Sequence, residues 1–290
     1  MKGKTTMKLY SLIGHPLGHS MSPMIHKRLF ELGGKSDSFY ALTDISPEEL
    51  PQSGEALRSF CGFNVTIPHK TAVIPLLDRL EESAVRYNAV NCVKNDGGQL
   101  IGYNTDCDGF LESARFLPLS ENVLLLGCGG AGRMMAIEAA LHGASLTIAI
   151  RPQSVKKGQL LMAEILAKCS GASVRLTDIN SIDGKYDLML NATPVGMYPD
   201  TEGCPVSDEM IANCSTFFDA VYNPTETALI KKARAMGKTA VGGAAMLVYQ
   251  AVKAHEIWDG DSYQREKLTE IINAVEESVD RMNAGSKGAE

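Results

Sequence analysis

Residues 122–151 read NVLLLGCGGAGRMMAIEAALHGASLTIAIR, and this stretch decides the fold. The apolar run from Val123 to Leu126 predicts a strand that is buried on both faces of a sheet. A glycine-rich turn follows, then a helix through about His142 and a second strand over Ser145–Ile150. A strand, a helix and a parallel strand in this order predict a doubly wound α/β domain.

The glycines of the turn satisfy the pattern G-x-G-x-x-G at Gly127, Gly129 and Gly132. The first glycine permits a tight turn, the second lets the backbone approach a pyrophosphate, and the third lets helix and strand pack closely. With Gly130 and Ala131 they offer the unpaired N–H groups of a helix N-terminus to an anion. The alternative is a tight turn without a ligand. Because strand, turn, helix and second strand are in register, we expect a dinucleotide.

The end of the second strand distinguishes the two nicotinamide cofactors. An NAD site usually has an Asp or Glu there that binds the ribose 2′-hydroxyl, whereas this chain has Arg151. A guanidinium pairs with a 2′-phosphate through charge-assisted hydrogen bonds worth roughly 1.5–3 kcal/mol. The alternative is a solvated arginine at a strand end. We therefore expect NADP, with NAD as the second choice.

The first hundred residues alternate strand-like and helix-like segments, which implies a second, mainly parallel α/β sheet. The predicted strands are Leu9–Ile13, Ser38–Leu42, Gly62–Thr66, Ala89–Val93 and Leu100–Tyr103, and the predicted helices are Pro23–Leu32, Pro47–Phe60 and His69–Arg79. From about Gly243 two helices follow with no strand between them, and we expect them to return to the first domain. The predicted domains are 1–105 with 243–290, for the substrate, and 106–242, for the dinucleotide.

Two serines precede the first predicted helix. Ser22 stands before Pro23, which suits the first helical position, so Ser22 is typical of an N-cap. The second interpretation is that the Ser20 and Ser22 hydroxyls, with the helix N-terminus behind them, bind a substrate carboxylate. Both interpretations stay open for Ser22, whereas Ser20 has no capping role.

A lysine and an aspartate follow other strands, where ligands bind in open α/β sheets. Lys70 falls in the first turn of a predicted helix, whose dipole would lower the lysine pKa, as suits an acid–base catalyst. The alternative is an exposed lysine with a solvated ammonium. Asp106 either caps the helix that follows it or lies beside Lys70 and orients a substrate hydroxyl.

Composition narrows the class of protein. A net charge of -6 and a pI near 5.6 argue against nucleic-acid binding. No apolar run approaches the ~18 residues of a membrane span, so we expect no membrane partner. Seven cysteines without a CxxC pair or an export signal predict reduced thiols in the cytoplasm. Neither cysteine nor histidine spacing supports a metal site, and we expect a small-molecule substrate.

Eight short motifs recur in the order that is typical of one family. They are Ser20-x-Ser22-Pro23, Asn64-Val65-Thr66-x-Pro68-x-Lys70, Ala89-Val90-Asn91, Asn104-Thr105-Asp106, the loop Gly127–Gly132, Asn191-Ala192-Thr193, Tyr222-x-Pro224 and Met246-Leu247-x-x-Gln250-Ala251. Over about residues 9–260 the chain resembles shikimate dehydrogenase. The resemblance implies reduction of 3-dehydroshikimate to shikimate by NADPH, and we expect a monomer or a homodimer.

The resemblance also implies roles for single residues. Ser20 and Ser22 would bind the substrate carboxylate, and Lys70 and Asp106 would form the catalytic pair. The other implied substrate contacts are Asn64, Thr66, Asn91 and Gln250 on the ring hydroxyls and Tyr222 near the carboxylate. The implied cofactor contacts outside the glycine loop are Asn191, Ala192, Thr193, Gly243 and Met246. We assign the proton transfer to Lys70, with Asp106 hydrogen-bonding; the reverse assignment stays open.

One departure from the family bears on the cofactor. The usual Asn-Arg-Thr clamp on the 2′-phosphate is Ile150-Arg151-Pro152 here, so only its arginine survives. A quinate/shikimate dehydrogenase that also uses NAD is therefore the alternative within the enzyme class. Outside that class the alternative is a non-catalytic NADP-binding regulator, which would need neither Lys70 nor Asp106.

Overall fold

The computed structural model describes residues 7–18 and 20–286, and it divides into two compact units. The first unit comprises Met1–Gly109 and Val248–Val275, and the second comprises Phe110–Leu247 and Glu276–Glu290. Each unit is built on a sheet of six strands with helices packed against it.

The sheet of the first unit is mixed, with mainly parallel strands. Its strands are β1 (Lys8–Gly14), β2 (Ser38–Asp44), β3 (Gly62–Val65), β4 (Arg79–Leu80), β5 (Cys92–Asp96) and β6 (Gln99–Tyr103), in the order β2-β1-β3-β5-β6-β4. Strand β1 is parallel to β2 and β3, whereas β5 is antiparallel to both β3 and β6. The carboxyl ends of β1, β2, β3 and β6 therefore lie at one edge of the sheet, together with the amino end of β5. We call this the carboxyl edge.

Five helices follow these strands along the chain, and two of our predictions for them are wrong. They are α1 (Ser22–Leu32), α2 (Gly54–Leu57), α3 (His69–Ala72), α4 (Glu82–Tyr87) and α5 (Asp106–Ala114). The helix expected over 69–79 ends after one turn because Pro75 lacks an N–H and its ring would clash with the preceding turn. The helix expected over 47–60 is reduced to a 3-10 turn around Pro51 and the short α2.

The sheet of the second unit is entirely parallel. Its strands are β7 (Asn122–Leu126), β8 (Ser145–Ile150), β9 (Ser173–Asp178), β10 (Tyr186–Asn191), β11 (Cys214–Asp219) and β12 (Thr239–Val241), and its helices are α6 (Gly130–Leu141), α7 (Val155–Lys168), α8 (Asp208–Ala212) and α9 (Ala228–Ala235). The strand order is β12-β11-β10-β7-β8-β9. Counted within the unit this is 6-5-4-1-2-3, the order of doubly wound dinucleotide-binding domains. The α/β fold class with a Rossmann-type domain is confirmed.

The central strand of this sheet behaves as its sequence predicts. Val123 through Leu126 are fully buried in β7, between the parallel neighbours β8 and β10. The chain turns to opposite sides of β7 to form these neighbours, so the carboxyl end of β7 lies at the topological switch point, where ligands bind.

The C-terminal helices are α10 (Ala244–Asp259) and α11 (Arg265–Ser286). The part from Val248 to Val275 belongs to the first unit, and the end of α11 belongs to the second. Trp258 of α10 donates its indole N–H to the Val93 carbonyl at 2.9 Å. A Cβ at Gly62 would lie 2.4 Å from that indole nitrogen, so only glycine admits the helix here. None of the helices in the described part is both long and apolar enough to span a membrane.

Candidate active site

Polar side chains from three segments meet at the carboxyl edge of the first sheet. Nζ of Lys70 lies 2.6 Å from Oδ2 of Asp106, and Nδ2 of Asn91 donates to Oδ1 of the same carboxylate at 2.7 Å. Lys70 follows β3 and Asp106 follows β6, while Asn91 precedes the antiparallel β5. The sheet topology thus pairs an ammonium and a carboxylate that are 36 residues apart in the chain.

The carboxylate of Asp106 is directed to this pair and does not act as the cap of α5. Oδ1 of Asn104 accepts the backbone N–H of Asp106 at 3.1 Å, and Oδ1 of Asn91 accepts that of Thr105 at 2.6 Å. The side chains of Lys70 and Asp106 remain 32% and 24% exposed. Since an ammonium carries three N–H donors and Asp106 accepts one, Lys70 can also donate to a substrate oxygen.

The long helix whose dipole was expected to act on Lys70 does not form. We expected a helix that runs to Arg79, but α3 has only four residues and Pro75 prevents its continuation. What holds Lys70 is its ion pair with Asp106, together with its carbonyl, which accepts the N–H of Val90 at 2.7 Å.

The two serines lie at the start of α1, but their capping roles differ from our prediction. The helix begins at Ser22 itself and Met21 occupies the N-cap position, so the prediction that Ser22 is the N-cap is wrong. Instead, Oγ of Ser20 accepts the backbone N–H of Ser22 at 3.2 Å. Both serines are partly exposed.

Tyr40, on β2, belongs to the same network, although the sequence did not single it out. Its hydroxyl donates to Oδ1 of Asn64 at 2.7 Å, and Nδ2 of Asn64 donates to the backbone carbonyl of Asn91 at 3.1 Å. Burial and the nearby Cys92 raise the pKa of Tyr40 well above its usual value, against a lowering effect of Ser22. The phenol therefore keeps its proton and donates it to Asn64.

Three further residues, which the family resemblance implies in substrate binding, are Thr66, Gln250 and Tyr222. Thr66 donates its backbone N–H to the Ile13 carbonyl at 2.9 Å, and Gln250 is buried on α10. Tyr222 belongs to the second unit, where burial raises the pKa of its hydroxyl.

The glycine loop of the second unit has the shape of a phosphate cradle. Gly127 has a φ of +93°, which favours glycine, and a Cβ at Gly132 would lie 2.6 Å from the Gly127 carbonyl oxygen. A Cβ at Gly129 or Gly130 would meet no described atom within 4 Å, so open space lies above the first residues of α6. The backbone N–H groups at that helix N-terminus fit a pyrophosphate.

Arg151 follows β8 directly and is exposed. It makes no ion pair with any residue that the structure describes. The guanidinium is therefore available to a phosphate group.

Asn191 shapes the loop that packs against the glycine turn. Its Oδ1 accepts the Thr193 hydroxyl at 2.7 Å and the Thr193 backbone N–H at 3.1 Å. A Cβ at Gly127 would lie 3.0 Å from the methyl group of Thr193 and 3.3 Å from the Ala192 carbonyl, so this loop borders the cradle closely.

The carboxylate of Asp219 anchors Asn191, and sequence reasoning missed it. Asp219 is fully buried and accepts from Nδ2 of Asn191 at 2.9 Å, from the Val221 N–H at 3.0 Å and from the Thr227 hydroxyl at 2.7 Å. The signal in the sequence was an acidic residue that closes the apolar strand β11.

The two remaining implied cofactor residues lie where α10 begins. Gly243 precedes the helix, and a Cβ there would lie 2.5 Å from the Ala220 carbonyl oxygen, so the packing itself requires glycine. Met246 is partly buried in the first turn of α10.

Comparison with known proteins identifies the family. The family model of the shikimate dehydrogenase substrate binding domain matches residues 12–93. The NADP(+) shikimate dehydrogenase of Shouchella clausii is 38% identical over 275 residues, which are 91% of this chain and 97% of the relative. The chain belongs to the shikimate dehydrogenase family.

Solved structures of the shikimate dehydrogenase family share both units. A shikimate dehydrogenase in complex with NADP+ matches with a TM-score of 0.85 at 34% identity, over 94% of this chain and 96% of that chain. The shikimate 5-dehydrogenase of Listeria monocytogenes, solved with shikimate and NAD, matches with a TM-score of 0.83 at 29% identity, over 92% and 96%.

Histidines and cysteines near this family site have local partners. His69 bonds the Ile45 carbonyl at 2.6 Å, His15 bonds Asp44 at 2.6 Å, and Cys107 lies 3.3 Å from the Asn104 carbonyl; His19 lies outside the described residues. Within residues 7–18 and 20–286, no group of three His, Cys, Asp or Glu residues is arranged to hold a metal ion.

Proposed function

We propose that this chain is an NADP-dependent shikimate dehydrogenase, which reversibly reduces 3-dehydroshikimate to shikimate in aromatic amino acid biosynthesis. The observation that carries the proposal is the ion pair of Lys70 and Asp106 at the carboxyl edge of the first sheet. The names of the curated relatives and the shikimate and NADP+ bound to solved family members support it.

In this proposal residues 1–105 and 243–290 bind the substrate and residues 106–242 bind NADP. The cofactor supplies the hydride to the ketone carbon when it is bound. The backbone of Gly129, Gly130 and Ala131 would hold its pyrophosphate, and Arg151 its 2′-phosphate. Asn191, Ala192 and Thr193 would border the bound cofactor, as would Gly243 and Met246 at the start of α10.

Lys70 donates the proton in the reduction direction. The ketone oxygen gains negative charge as the carbon is reduced, and it needs a nearby proton donor. Both oxygens of Asp106 already accept hydrogen bonds, one from Lys70 and one from Asn91. An ionised carboxylate has no proton to give, whereas the ammonium retains further N–H groups. Asp106 therefore orients Lys70 and the substrate hydroxyl, and Lys70 transfers the proton.

We assign the substrate contacts to residues of this site. Ser20 and Ser22 would bind the carboxylate with hydroxyl donors, and Tyr222 would lie near it. Asn64, Thr66 and Gln250 would contact the ring hydroxyls. The amide of Asn91 is already engaged with Thr105 and Asp106, so we assign it to the substrate mainly through the orientation of Asp106.

One observation favours the use of NAD as well as NADP. Only the arginine of the usual 2′-phosphate clamp is present at Ile150-Arg151-Pro152, and the family member of Listeria monocytogenes was solved with NAD. A quinate/shikimate dehydrogenase that uses NAD as well is therefore the alternative.

Initial rates with shikimate and with quinate, each with NADP+ and with NAD+, test the proposal. We expect the highest kcat/KM for shikimate with NADP+. Faster turnover of quinate with NAD+ would overturn the substrate and cofactor assignment. Binding of NADP+ without oxidation of either acid would favour the regulator.

A monomer or homodimer in the cytoplasm remains a prediction from the sequence. Sedimentation equilibrium of the purified protein tests the oligomeric state. Cell fractionation with a cytoplasmic marker enzyme as the reference tests the location.

A further inference from the structure

Tyr40 holds one of the proposed substrate-binding residues, which comes from a different element. Its hydroxyl donates to Oδ1 of Asn64 on β3 at 2.7 Å. The two residues are 24 positions apart in the chain, so only the folded sheet brings them together. The phenol thus contacts the amide that is proposed to bind a ring hydroxyl.

The proton arrangement in this network is determined by its acceptors. The one proton of the phenol goes to Oδ1 of Asn64, which is an acceptor only. Nδ2 of Asn64 donates one hydrogen to the Asn91 carbonyl. Because an amide nitrogen has two hydrogens, the second is left to point elsewhere. Tyr40 therefore fixes Asn64 with its amide nitrogen as the donor to a ligand.

The ring of Tyr40 is held by a buried histidine. His26 is fully buried and stacks on Tyr40, with ring centroids 3.9 Å apart and planes inclined by 6°. Nδ1 of His26 lies 3.0 Å from Nε2 of the equally buried His255. Nδ1 of His255 lies 2.7 Å from the hydroxyl of Tyr263, which donates to Asp261 at 3.2 Å.

The order of donors in this chain sets the tautomers of both histidines. Because Tyr263 gives its proton to Asp261, Nδ1 of His255 is the donor to Tyr263 and its Nε2 is an acceptor. His26 then donates from Nδ1. Burial lowers the pKa of His26 well below its usual value and that of His255 to about 4, against the attraction of Asp261, so both rings are neutral near pH 7. Tyr40 thus stacks on a neutral ring of fixed orientation.

We propose that Tyr40 is a positioning residue of the substrate site, which aligns Asn64 for the bound acid and is itself held by the His26–His255 pair. The inference rests on the proposed function, because it needs a ligand with ring hydroxyls. Tyr40 does not transfer a proton in this scheme. Its removal should therefore affect binding and spare the chemical step.

The variant Tyr40→Phe tests the proposal, because it keeps the stacked ring and removes only the hydroxyl. We expect KM for shikimate to rise about three- to tenfold, the range of one lost hydrogen bond, with kcat within twofold. The matched control is Tyr10→Phe, since Tyr10 is a buried tyrosine of the same sheet whose hydroxyl bonds Asp259 at 2.8 Å. Its KM should equal that of the wild type.

A double variant separates positioning from general packing. If Tyr40 acts through Asn64, the factor by which KM rises in the double variant of Tyr40→Phe and Asn64→Ala should be smaller than the product of the two single factors. An unchanged KM in Tyr40→Phe, or an equal rise in Tyr10→Phe, would overturn the inference. If the wild type does not oxidise shikimate with NADP+, the proposed function fails and the inference fails with it; if only the variant behaves as wild type, the proposed function stands.

Discussion

Each unit contains an asparagine that donates to an aspartate and holds a threonine, but the two aspartates differ in their surroundings. In the first unit Nδ2 of Asn91 donates to Asp106 at 2.7 Å, and its Oδ1 accepts the Thr105 N–H at 2.6 Å. In the second unit Asn191 donates to Asp219 at 2.9 Å, and its Oδ1 accepts from Thr193. The hydrogen bonds are nearly the same, whereas the side chain of Asp106 is 24% exposed and Asp219 is fully buried.

The difference in burial and charge separates a reactive group from an anchor. Asp106 has the cation Lys70 at 2.6 Å, and both remain accessible to a ligand. Among the described residues the donors to Asp219 are neutral: the Asn191 amide, the Val221 N–H and the Thr227 hydroxyl. Burial raises its pKa against the lowering effect of these hydrogen bonds. The partly exposed Asp106 is accessible to a ligand, while the buried Asp219 fixes the loop beside the glycine cradle.

The largest expected effect lies at the accessible pair. We expect Lys70→Ala to lower kcat for shikimate by ~10²–10⁴, because it removes the proton donor, while KM changes only severalfold. Steady-state rates over a range of shikimate concentrations at saturating NADP+ measure both constants.

The control is Lys232→Ala, which removes a lysine that also lies 2.6 Å from an aspartate, Asp208, but on the surface of the other unit. Its kcat should stay within twofold of the wild type. Near-normal turnover in Lys70→Ala would mean that the accessible pair has no catalytic role, and the contrast with Asp219 would disappear.

The second largest expected effect is the loss of stability when the buried Asp219 is replaced. Asp219→Ala leaves the donors of Asn191, Val221 and Thr227 without their acceptor, so we expect the free energy of unfolding to fall by about 2–4 kcal/mol. Urea denaturation measures this loss. At saturating cofactor kcat should change little, whereas KM for NADP+ should rise because the loop of Thr193 is no longer fixed.

An exposed aspartate of the same unit serves as the control for this variant. Asp183 pairs with Arg175 at the surface, and Asp183→Ala should change the free energy of unfolding by no more than about 0.5 kcal/mol. If Asp219→Ala were as stable as Asp183→Ala, burial would not be what distinguishes Asp219 from Asp106.

Sequence reasoning succeeded where local pattern decides the structure. The apolar run Val123–Leu126 and the glycines after it predicted β7, the turn and α6, because burial on both faces and the turn's backbone geometry are encoded within a few residues. The same reasoning failed over 69–79, where the apolar spacing of a helix was outweighed by Pro75.

The parts of the site that the sequence did not reveal depend on long-range contacts. Tyr40 reaches Asn64 only because the fold places β2 in the same sheet as β3, with β1 between them. Asp219 likewise depends on its parallel pairing with Asn191, 28 residues earlier. A tyrosine in a strand or an aspartate at a strand end is common, and no spacing rule distinguishes these two from others.

A smaller expected effect, on the preference between NADP+ and NAD+, tests Arg151 at the end of β8. Arg151→Ala should weaken the binding of NADP+ about ten- to a hundredfold more than the binding of NAD+, because only NADP+ carries the 2′-phosphate. The ratio of KM values for the two cofactors measures it. The control is Arg175→Ala, an arginine on the adjacent strand β9 that bonds Asp183 and Tyr186, and it should affect both cofactors equally. An equal loss for both in Arg151→Ala would make Arg151 structural.

The smallest expected effect is at Ser20 in the first unit. It shows how much of the anion binding there comes from a hydroxyl and how much from the N-terminus of the helix behind it. Oγ of Ser20 accepts the Ser22 N–H, so its own hydrogen remains to be donated to a carboxylate. Ser20→Ala should raise KM for shikimate about three- to tenfold with little change in kcat, the value of one ordinary hydrogen bond, because Ser22 and the helix N-terminus remain. The half-buried Ser53, which donates to the Glu49 carbonyl, provides the control Ser53→Ala. In the second unit the anion would be held by backbone N–H groups, which no side-chain substitution removes, so a KM that Ser20→Ala leaves unchanged would mean that the first unit also relies on its backbone.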